Sequence, residues 1–344
     1  MIVRRFARLL PALFVGLLAG ACGHDWSTGD GSMDADSPRP DGEADVPDAD
    51  DGSGDAPDSA PDAPPDAPPD VPPDDTFEVE PDVPPDSPDV ADEADDDAPP
   101  DARPPLVDLV VLAENTGSFT TERTHLVATV ATLLDALDAA ALGWDLALGV
   151  AAFGDFPVGT YGTAGDVVFE VLQAVTASTD LAVTALGAIA DRNGADMPDG
   201  AVVALYLLAT GSALEPYFSR VADCPTGYGG AVCFRPGAAR LVLLISDSPM
   251  HNGPPDGASD PYSASVLGLT MVPSWPAATA ALISENIRVI GLNTGTAEVH
   301  ADLEAVAVAS GAETTTGPAA YDIDLDTGTV NLSFLVPVLE ALVP

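Results

Sequence analysis

Apolar and polar residues fall into alternating blocks along residues 105–344, and the pattern of these blocks predicts secondary structure. Continuous apolar runs such as LVLLI at residues 241–245 are typical of strands that are covered on both faces. The pattern predicts strands at residues 106–113, 145–153, 166–175, 240–246, 287–292 and 321–325. It predicts helices at residues 122–140, 180–191, 199–210, 275–285, 298–310 and 330–342. Because strands alternate with helices, we expect one α/β domain with a mostly parallel, doubly wound sheet.

Three acidic loops come where elements of this sheet end or begin. The first strand runs into ENTGS at residues 114–118, DMPDG at residues 196–200 precedes a helix, and the run at 241–245 leads to Asp247. Ligands of an open parallel sheet bind outside the carboxyl ends of its strands. We expect these oxygens to converge there as a site for Mg²⁺ or Ca²⁺, which prefer oxygen ligands. The predicted ligands are Glu114, Thr116, Ser118, Asp199 and Asp247.

The first 21 residues have the layout of a secretory signal, with three arginines followed by an apolar stretch at residues 9–21. That stretch is shorter than the roughly 20 apolar residues that a transmembrane helix needs. AGAC at residues 19–22 resembles the lipobox of bacterial lipoproteins, which implies cleavage before Cys22 and lipidation of Cys22. By the same resemblance, Gly23 is compatible with anchoring at the outer membrane of the bacterial cell envelope. An ordinary secretory signal that contains a cysteine is the alternative.

Residues 22–104 differ sharply in composition from the rest of the chain. Between residues 23 and 104 there are 28 acidic residues and two arginines, with near-repeats such as PDAPPDAPPD at residues 61–70. A segment with so little apolar surface cannot offset the entropy lost on folding. We therefore expect a disordered acidic stalk that separates the membrane anchor from the domain. A low-affinity Ca²⁺ sponge is the alternative function for this segment.

Two cysteines remain once Cys22 is set aside, and both lie in one short segment at Cys224 and Cys233. Export to an oxidising compartment would let them form a disulfide. A loop of this length would stabilise the fold by about 2.5–3 kcal/mol. Metal ligation or free thiols are the alternatives, although the spacing is not that of a zinc site.

Four motifs follow one another along residues 106–343, and they are VDLVVLAENTGS at 107–118, LGVAAFGDFP at 148–157, MPDGA at 197–201 and RLVLLISDSPMH at 240–251. In this order they resemble the von Willebrand factor A (vWA) domains, and within that family the I-like domain of integrin β subunits and its bacterial relatives. The first motif matches the family's first strand and its D-x-S/T-x-S metal motif, and the second resembles the second strand. MPDGA at 197–201 is similar to the integrin-type SPEGG segment, and RLVLLISDSPMH at 240–251 resembles the strand ending TDAxFH.

The resemblance implies a metal-ion-dependent adhesion site with Thr116 and Ser118 as hydroxyl ligands. Asp199 takes the place of a family glutamate, and Asp247 that of the carboxylate ending the fourth long strand. Glu114 stands where the family has aspartate, and its extra methylene moves the carboxylate by about 1.5 Å. We expect an altered but functioning site, for which the flexible shell of Ca²⁺ is more tolerant than the octahedral shell of Mg²⁺.

The family's two auxiliary cation sites have only partial counterparts. At the site next to the main one, Thr121 and Glu122 stand where the family has two acids. The counterparts of the second auxiliary site are Asp196, Asp199, the Pro198 carbonyl and Asp155. The alternative interpretation is that these are acidic loop residues exposed to solvent.

In the vWA family the cation leaves one coordination position open for a carboxylate of a protein partner. The resemblance therefore implies a lipid-anchored adhesion or scaffolding protein and not an enzyme. The aromatic-rich residues 211–239 are a candidate ligand-binding face, and a well-packed insertion is the alternative. The other functional alternatives are an envelope protein with a degenerate site and a metal-dependent hydrolase. The hydrolase has little support, because there is no Gly-x-Ser-x-Gly elbow and His251, beside the site, is expected to cap or pack a loop.

Charge restricts the partners of the domain. After residue 104 there are 27 acidic residues, six arginines and no lysine, which gives a net charge of −21. Nucleic-acid binding depends on cationic contacts with phosphate, so we expect no nucleic-acid partner. Divalent cations and basic protein surfaces are favoured instead.

Overall fold

The computed structural model describes residues 103–219, 224–255 and 259–344. The predicted signal sequence, the lipidation site Cys22 and nearly all of the predicted stalk lie outside the described residues. The described strands are β1 (Leu106–Glu114), β2 (Asp145–Phe153), β3 (Glu170–Thr176), β4 (Ala239–Ser246), β5 (Ile287–Asn293), β6 (Glu313–Thr314), β7 (Gly317–Pro318) and β8 (Ala320–Asp322). Six of them form one sheet in the order β3-β2-β1-β4-β5-β8, in which only β3 runs antiparallel to its neighbour.

Helices cover both faces of this sheet. The described helices are α1 (Thr120–Ala140), α2 (Thr179–Leu186), α3 (Ala201–Thr210), α4 (Ala264–Leu267), α5 (Trp275–Ser284), α6 (Ala297–Ser310) and α7 (Val336–Leu342). Helices α3, α5 and α6 pack mainly on one face, and α1, α2 and α7 on the other. In the described ranges no helix combines the length and apolarity needed to cross a bilayer.

Strand β1 shows why the central strands are apolar throughout. Val110 and Leu112 pack in the cluster that contains α3 and α5, whereas Leu109 and Val111 pack in the cluster that contains α1. All four side chains are at most 2% exposed. A strand buried on both faces needs apolar residues at consecutive positions, so a continuous run replaces the usual alternation. The predicted doubly wound, mostly parallel α/β fold is confirmed.

Several predicted elements are shorter than their apolar patterns suggested, and the strand expected at residues 321–325 is reduced to Ala320–Asp322. The strand expected at residues 166–175 begins only at Glu170, because Asp166 accepts hydrogen bonds from the backbone N–H groups of Thr163 and Asn193 in a loop. The helix expected at residues 180–191 ends at Leu186. The chain after this helix instead lines the loop that follows β1. The apolar residues that flank this strand and this helix are therefore buried, although they lie in loops.

The expected C-terminal helix begins as a 3₁₀ turn at Leu332–Leu335, and only Val336–Leu342 is α-helical. The short helix α4 and the β6–β7 hairpin were not predicted. Their few residues are too short a stretch to show a period in the sequence.

Residues 224–238 lead into the amino end of β4, at the opposite end of the sheet from the carboxyl ends of the strands. Cys224 and Cys233 form the predicted disulfide there. Phe218 and Phe234 are buried in the core, 6% and 0% exposed. Residues 224–238 therefore do not lie around the predicted metal ligands, and Phe218 and Phe234 pack in the core, as the alternative of a well-packed insertion predicts.

Arg235 fixes this segment to the sheet. Its Nε and its backbone N each donate a hydrogen bond of 2.6 Å to the buried carboxylate of Asp108, near the start of β1. Its Nη1 donates to Asp145 Oδ1 at 2.8 Å, at the start of β2. The arginine thus joins the disulfide segment to the amino ends of two neighbouring strands.

Candidate metal centre

The predicted metal ligands lie at the point where the strand order of the sheet reverses. From β1 the chain continues to β2 on one side, and from β4 it continues to β5 on the other. Such a switch leaves a crevice at the carboxyl ends of the two central strands. Glu114 is the last residue of β1, Asp247 directly follows β4, and Asp199 lies two residues before α3 begins. The fold therefore brings all three loops to one place.

Glycines allow two of these loops to approach their neighbours closely. Gly200 donates a backbone hydrogen bond of 2.9 Å to Gly154, and a Cβ on Gly200 would lie only 2.6 Å from the Gly154 carbonyl oxygen. A Cβ on Gly295 would overlap the backbone of Asp247. The absence of side chains at these positions therefore sets where Asp199 and Asp247 sit.

The two hydroxyls link the five predicted ligands through direct contacts. Thr116 Oγ1 lies 3.0 Å from Ser118 Oγ and 3.2 Å from Asp199 Oδ2. Ser118 Oγ lies 3.0 Å from Asp247 Oδ1 and 3.3 Å from Glu114 Oε1, and Thr116 also hydrogen-bonds Glu114. Each hydroxyl carries a single proton and cannot donate to all of these carboxylate oxygens at once. The cluster is therefore rich in acceptors and short of positive partners.

Glu114 occupies the middle of the cluster. Its Oε2 accepts hydrogen bonds from Ser246 Oγ at 2.6 Å and from the Asp247 backbone N at 3.1 Å. Its Oε1 lies among three hydroxyls, those of Thr116, Ser118 and Ser248, with Ser248 Oγ at 3.3 Å. The extra methylene of glutamate thus carries the carboxylate towards the position around which the hydroxyls gather.

Burial and mutual repulsion raise the pKa values of the three carboxyl groups. Burial, followed by the charge of Asp199, raises the pKa of Glu114 to about 8. Burial raises the pKa of Asp199 to about 6, and burial with the charge of Glu114 raises the pKa of Asp247 to about 7. Asp199 Oδ1 is also buried without a hydrogen-bond partner among the described residues. These groups fit a divalent cation, which would take the place of the shared protons.

Solvent reaches the cluster from the Ser118 side. Ser118 is exposed, and a cleft of about 430 Å³ opens beside it. Met197 at the rim of the cleft is 61% exposed. The cleft is lined by Thr116, Ser118, Asn193, Gly194, Ala195, Asp196 and Met197. A partner group can therefore approach the hydroxyl side of the cluster.

The residues predicted for auxiliary sites separate into two places. Glu122 is buried in the first turn of α1, and burial, then the charges of Asp247 and Asp326, raises its pKa to about 7. Thr121 beside it is exposed. Asp155 and Asp196 lie in a second group away from Glu122, and the Asp199 side chain belongs to the main cluster instead. Pro198, which lies between Asp196 and Asp199 in the sequence, is buried.

Sequence analysis missed three residues of this region. Ser246 and Ser248, on either side of Asp247, both hydrogen-bond Glu114. The alternation of serine and aspartate at the end of a strand was the available signal. His251 was expected only to cap or pack a loop, yet it lies with Asp155 and Asp196, each offering a ligand atom within 4.8 Å of the others.

The chain is similar to the two solved structures named below only at low sequence identity. No protein-family model and no curated protein matches the chain. Among solved structures, the chain is similar to the SpRpn10 VWA domain at a TM-score of 0.40 and 12% identity, covering 68% of this chain and 96% of that one. It is also similar to proximal thread matrix protein 1 (PTMP1) from the mussel byssus at a TM-score of 0.41 and 16% identity, covering 70% of this chain. The chain spans 48% of the length of PTMP1. Neither likeness says what this chain binds.

Proposed function

We propose that the domain is a binding module that recognises a protein partner through a divalent cation, Mg²⁺ or Ca²⁺. The observation that carries this proposal is the convergence of Glu114, Thr116, Ser118, Asp199 and Asp247 beside an open cleft. Oxygen atoms from three separate segments provide the ligand type that both cations prefer. The resemblance of the motifs to the integrin-type vWA domains supports the same function.

The residues have distinct roles in this proposal. Thr116 and Ser118 supply hydroxyl oxygens, and the carboxylates come from Asp199, next to Thr116, and Asp247, next to Ser118. Glu114 contributes its carboxylate as a ligand from the middle of the cluster. When bound, the cation supplies a positive charge to which a carboxylate of the partner can bind from the cleft. The exposed side chain of Met197 offers an apolar contact next to that position.

Charge explains why a cation is needed for such a partner. The domain carries a net charge of −21, so it repels an acidic group when no cation is bound. A bound cation reverses the sign of the charge locally, at the one place where the partner's carboxylate docks. Binding of the partner should therefore require the cation, while the surrounding contacts supply most of the affinity.

The location of this module is also a proposal. The lipobox-like AGAC at residues 19–22 supports a lipid anchor at Cys22 in the bacterial cell envelope, with the acidic segment as a spacer. Mass spectrometry of the N-terminal peptide from the membrane fraction tests this. A diacylglyceryl-modified Cys22 is expected, and an unmodified cysteine would contradict the anchor.

A second candidate function follows from the position of Glu114. Five groups, four hydroxyls and one backbone N–H, hydrogen-bond its two oxygens, so a protonated Glu114 closes the site without a cation in this alternative. The domain would then be a structural envelope protein with a degenerate site. The two candidates differ in their response to divalent cations.

Thermal unfolding of the full chain distinguishes these candidates. Mg²⁺ or Ca²⁺ at 100 times its Kd should stabilise the protein by about 2.7 kcal/mol. Asp247→Asn should remove this stabilisation, because it removes a ligand charge with little change of shape. Asp180→Asn is the control, because Asp180 is an exposed carboxylate in α2. Equal stabilisation of both variants would indicate general charge screening and reject the site, as would no response in the unmodified chain.

A further inference from the structure

We propose that Asp155, Asp196 and His251 form a second cation site that takes a first-row transition ion such as Zn²⁺ through one imidazole nitrogen and two carboxylates. This site is independent of the proposed function, because it shares no side chain with the cluster around Glu114. It also differs from the auxiliary oxygen site expected from the sequence, since its third ligand is a histidine.

Three polar atoms of this group face a common space. His251 Nε2 lies 3.6 Å from Asp196 Oδ2 and 3.9 Å from Asp155 Oδ2, and neither distance is a hydrogen bond. Among the described residues, His251 Nε2, Asp155 Oδ2 and Asp196 Oδ1 are buried without a hydrogen-bond partner. Unpartnered buried polar atoms are rare and unfavourable, so a shared ion accounts for His251 Nε2 and Asp155 Oδ2, and Asp196 Oδ2 lies beside the same imidazole nitrogen.

The atoms of His251 and Asp155 that face away from the shared space are hydrogen-bonded, as is usual for metal ligands. His251 Nδ1 lies 2.5 Å from the Asp260 carbonyl oxygen, which can only accept, so Nδ1 carries the hydrogen. In the neutral ring Nε2 then presents its lone pair to the two carboxylates. Asp155 Oδ1 accepts hydrogen bonds from the Tyr262 hydroxyl at 2.6 Å and the Phe156 N–H at 2.7 Å, which leaves Oδ2 free. Such outer hydrogen bonds orient the ligands of metal sites.

The surroundings favour an ion with few ligands. The ring centroids of Tyr262 and Tyr161 lie 4.1 Å and 5.3 Å from that of His251, so aromatic walls enclose the imidazole. Ca²⁺ takes six to eight oxygen ligands, which such walls do not provide. Zn²⁺ is commonly held by four ligands that include imidazole and carboxylate, and three protein ligands leave one position for water. The Asp196 side chain, 33% exposed, provides the route for entry.

An ion in this site would stabilise the loop that carries Asp199. The backbone N–H of His251 donates to the Asp199 carbonyl at 2.9 Å, and the Asp199 N–H donates to the Pro249 carbonyl at 2.9 Å. The second site and the main cluster are therefore joined through the backbone on either side of Asp199. Zn²⁺ binding at the second site should persist even if the main cluster binds no cation.

Calorimetric titration of the metal-free full chain with Zn²⁺ tests the proposal. We expect one high-affinity Zn²⁺ site in addition to weak Zn²⁺ binding by the acidic segment. His251→Gln and Asp196→Asn should each weaken this site by at least about 100-fold, since loss of an outer hydrogen bond alone costs 10- to 100-fold. His300→Gln is the control, because His300 is partly exposed and also lies beside an aspartate, 2.8 Å from Asp322. Ser118→Ala, in the main cluster, should leave the tight site unchanged.

Two further measurements show whether a variant loses Zn²⁺ binding because a ligand is missing or because the protein is misfolded. Co²⁺ bound to the unmodified chain should give the visible absorption of a low-coordinate site, and His251→Gln should remove it. Tyr262→Phe, which removes only the hydrogen bond to Asp155, should weaken Zn²⁺ by about 10- to 100-fold while the fold is retained. Equal Zn²⁺ affinity in the unmodified chain, His251→Gln and Asp196→Asn would overturn the proposal and assign the binding to the acidic segment. Absence of tight binding would overturn it in favour of an ion pair between protonated His251 and the two aspartates.

Discussion

Replacing Glu114 with glutamine is expected to stabilise the cation-free protein at pH 8.5 and to abolish its response to Mg²⁺ or Ca²⁺. Glutamine has nearly the same shape as the protonated glutamic acid and carries no charge. Its oxygen can accept from Ser246 and the Asp247 N–H, and its amide hydrogens can donate to the neighbouring oxygens. Glutamine removes one negative charge from the cluster, and its NH₂ group, which would face the hydroxyls, cannot coordinate a cation.

The pH dependence follows from the direction of the Glu114 pKa shift. Its pKa rises from the usual 4.5 to about 8 in the folded protein, so the folded state holds a proton that the unfolded state has lost. The contribution of Glu114 to stability therefore falls as pH rises from about 4.5 to about 8. Above pH 8 the buried charge destabilises the fold by something on the order of 3–5 kcal/mol. Glutamine carries no charge, so Glu114→Gln avoids this loss of stability at high pH. At pH 5 Glu114 is itself protonated in the folded protein, so the two proteins should differ little in stability.

Urea unfolding at pH 5 and pH 8.5, with chelator present, measures this difference. Glu114→Gln should be the more stable protein at pH 8.5 only. Glu114→Asp is the matched variant, because it keeps the charge but withdraws the carboxylate from the hydroxyls, and it should strengthen cation binding. The account would be contradicted if Glu114→Gln were less stable than the unmodified chain at pH 8.5, or if it kept the full cation response.

Replacing Arg235 with alanine is expected to lower the free energy of unfolding by about 3–5 kcal/mol. The Asp108 carboxylate is fully buried, and the arginine side chain is its ion-pair partner. Burial raises the pKa of Asp108, and the hydrogen bonds and charge of Arg235 oppose that rise. Without the guanidinium, an uncompensated acid would remain inside the fold, and the disulfide segment would lose its attachment to β1 and β2.

Equilibrium urea unfolding under non-reducing conditions tests this prediction. Arg123→Ala is the control, because its partner Asp191 is 52% exposed and such pairs contribute at most about 1 kcal/mol. Adding Asp108→Asn to Arg235→Ala should recover part of the loss, since the buried charge is then gone. A loss no larger than that of the control would mean that the ion pair does not stabilise the fold.

The fold and the main cluster were accessible from the sequence for the same physical reason. A doubly wound sheet has a continuous apolar strand, an abrupt polar end and a switch in strand order, and these place Glu114 and Asp247 side by side without any knowledge of distances. Asp199 could be added because an acidic loop before an apolar helix belongs at the same edge. The predicted β1, β2, β4 and β5 accordingly agree with the structure to within one residue at each end.

The errors arose where tertiary contacts decide the outcome. The aromatic residues of 211–239 gave no sign of whether they face a ligand or the core, and the structure buries Phe234 completely. His251 gave no sign that its Nδ1 is held by Asp260 and its Nε2 left free. The position of the Glu114 carboxylate among three hydroxyls depends on side-chain geometry that sequence spacing does not encode.

Crystals grown with Mn²⁺, which has an anomalous signal and prefers the same oxygen ligands as Mg²⁺, test the central claim most directly. An anomalous peak is expected between the hydroxyls of Thr116 and Ser118 and the carboxylates of Asp199 and Asp247. The Glu114 carboxylate should then bind the ion. A well-ordered map in which Glu114 Oε1 stays among the hydroxyls, with no peak beside it, would contradict a cation-dependent binding site.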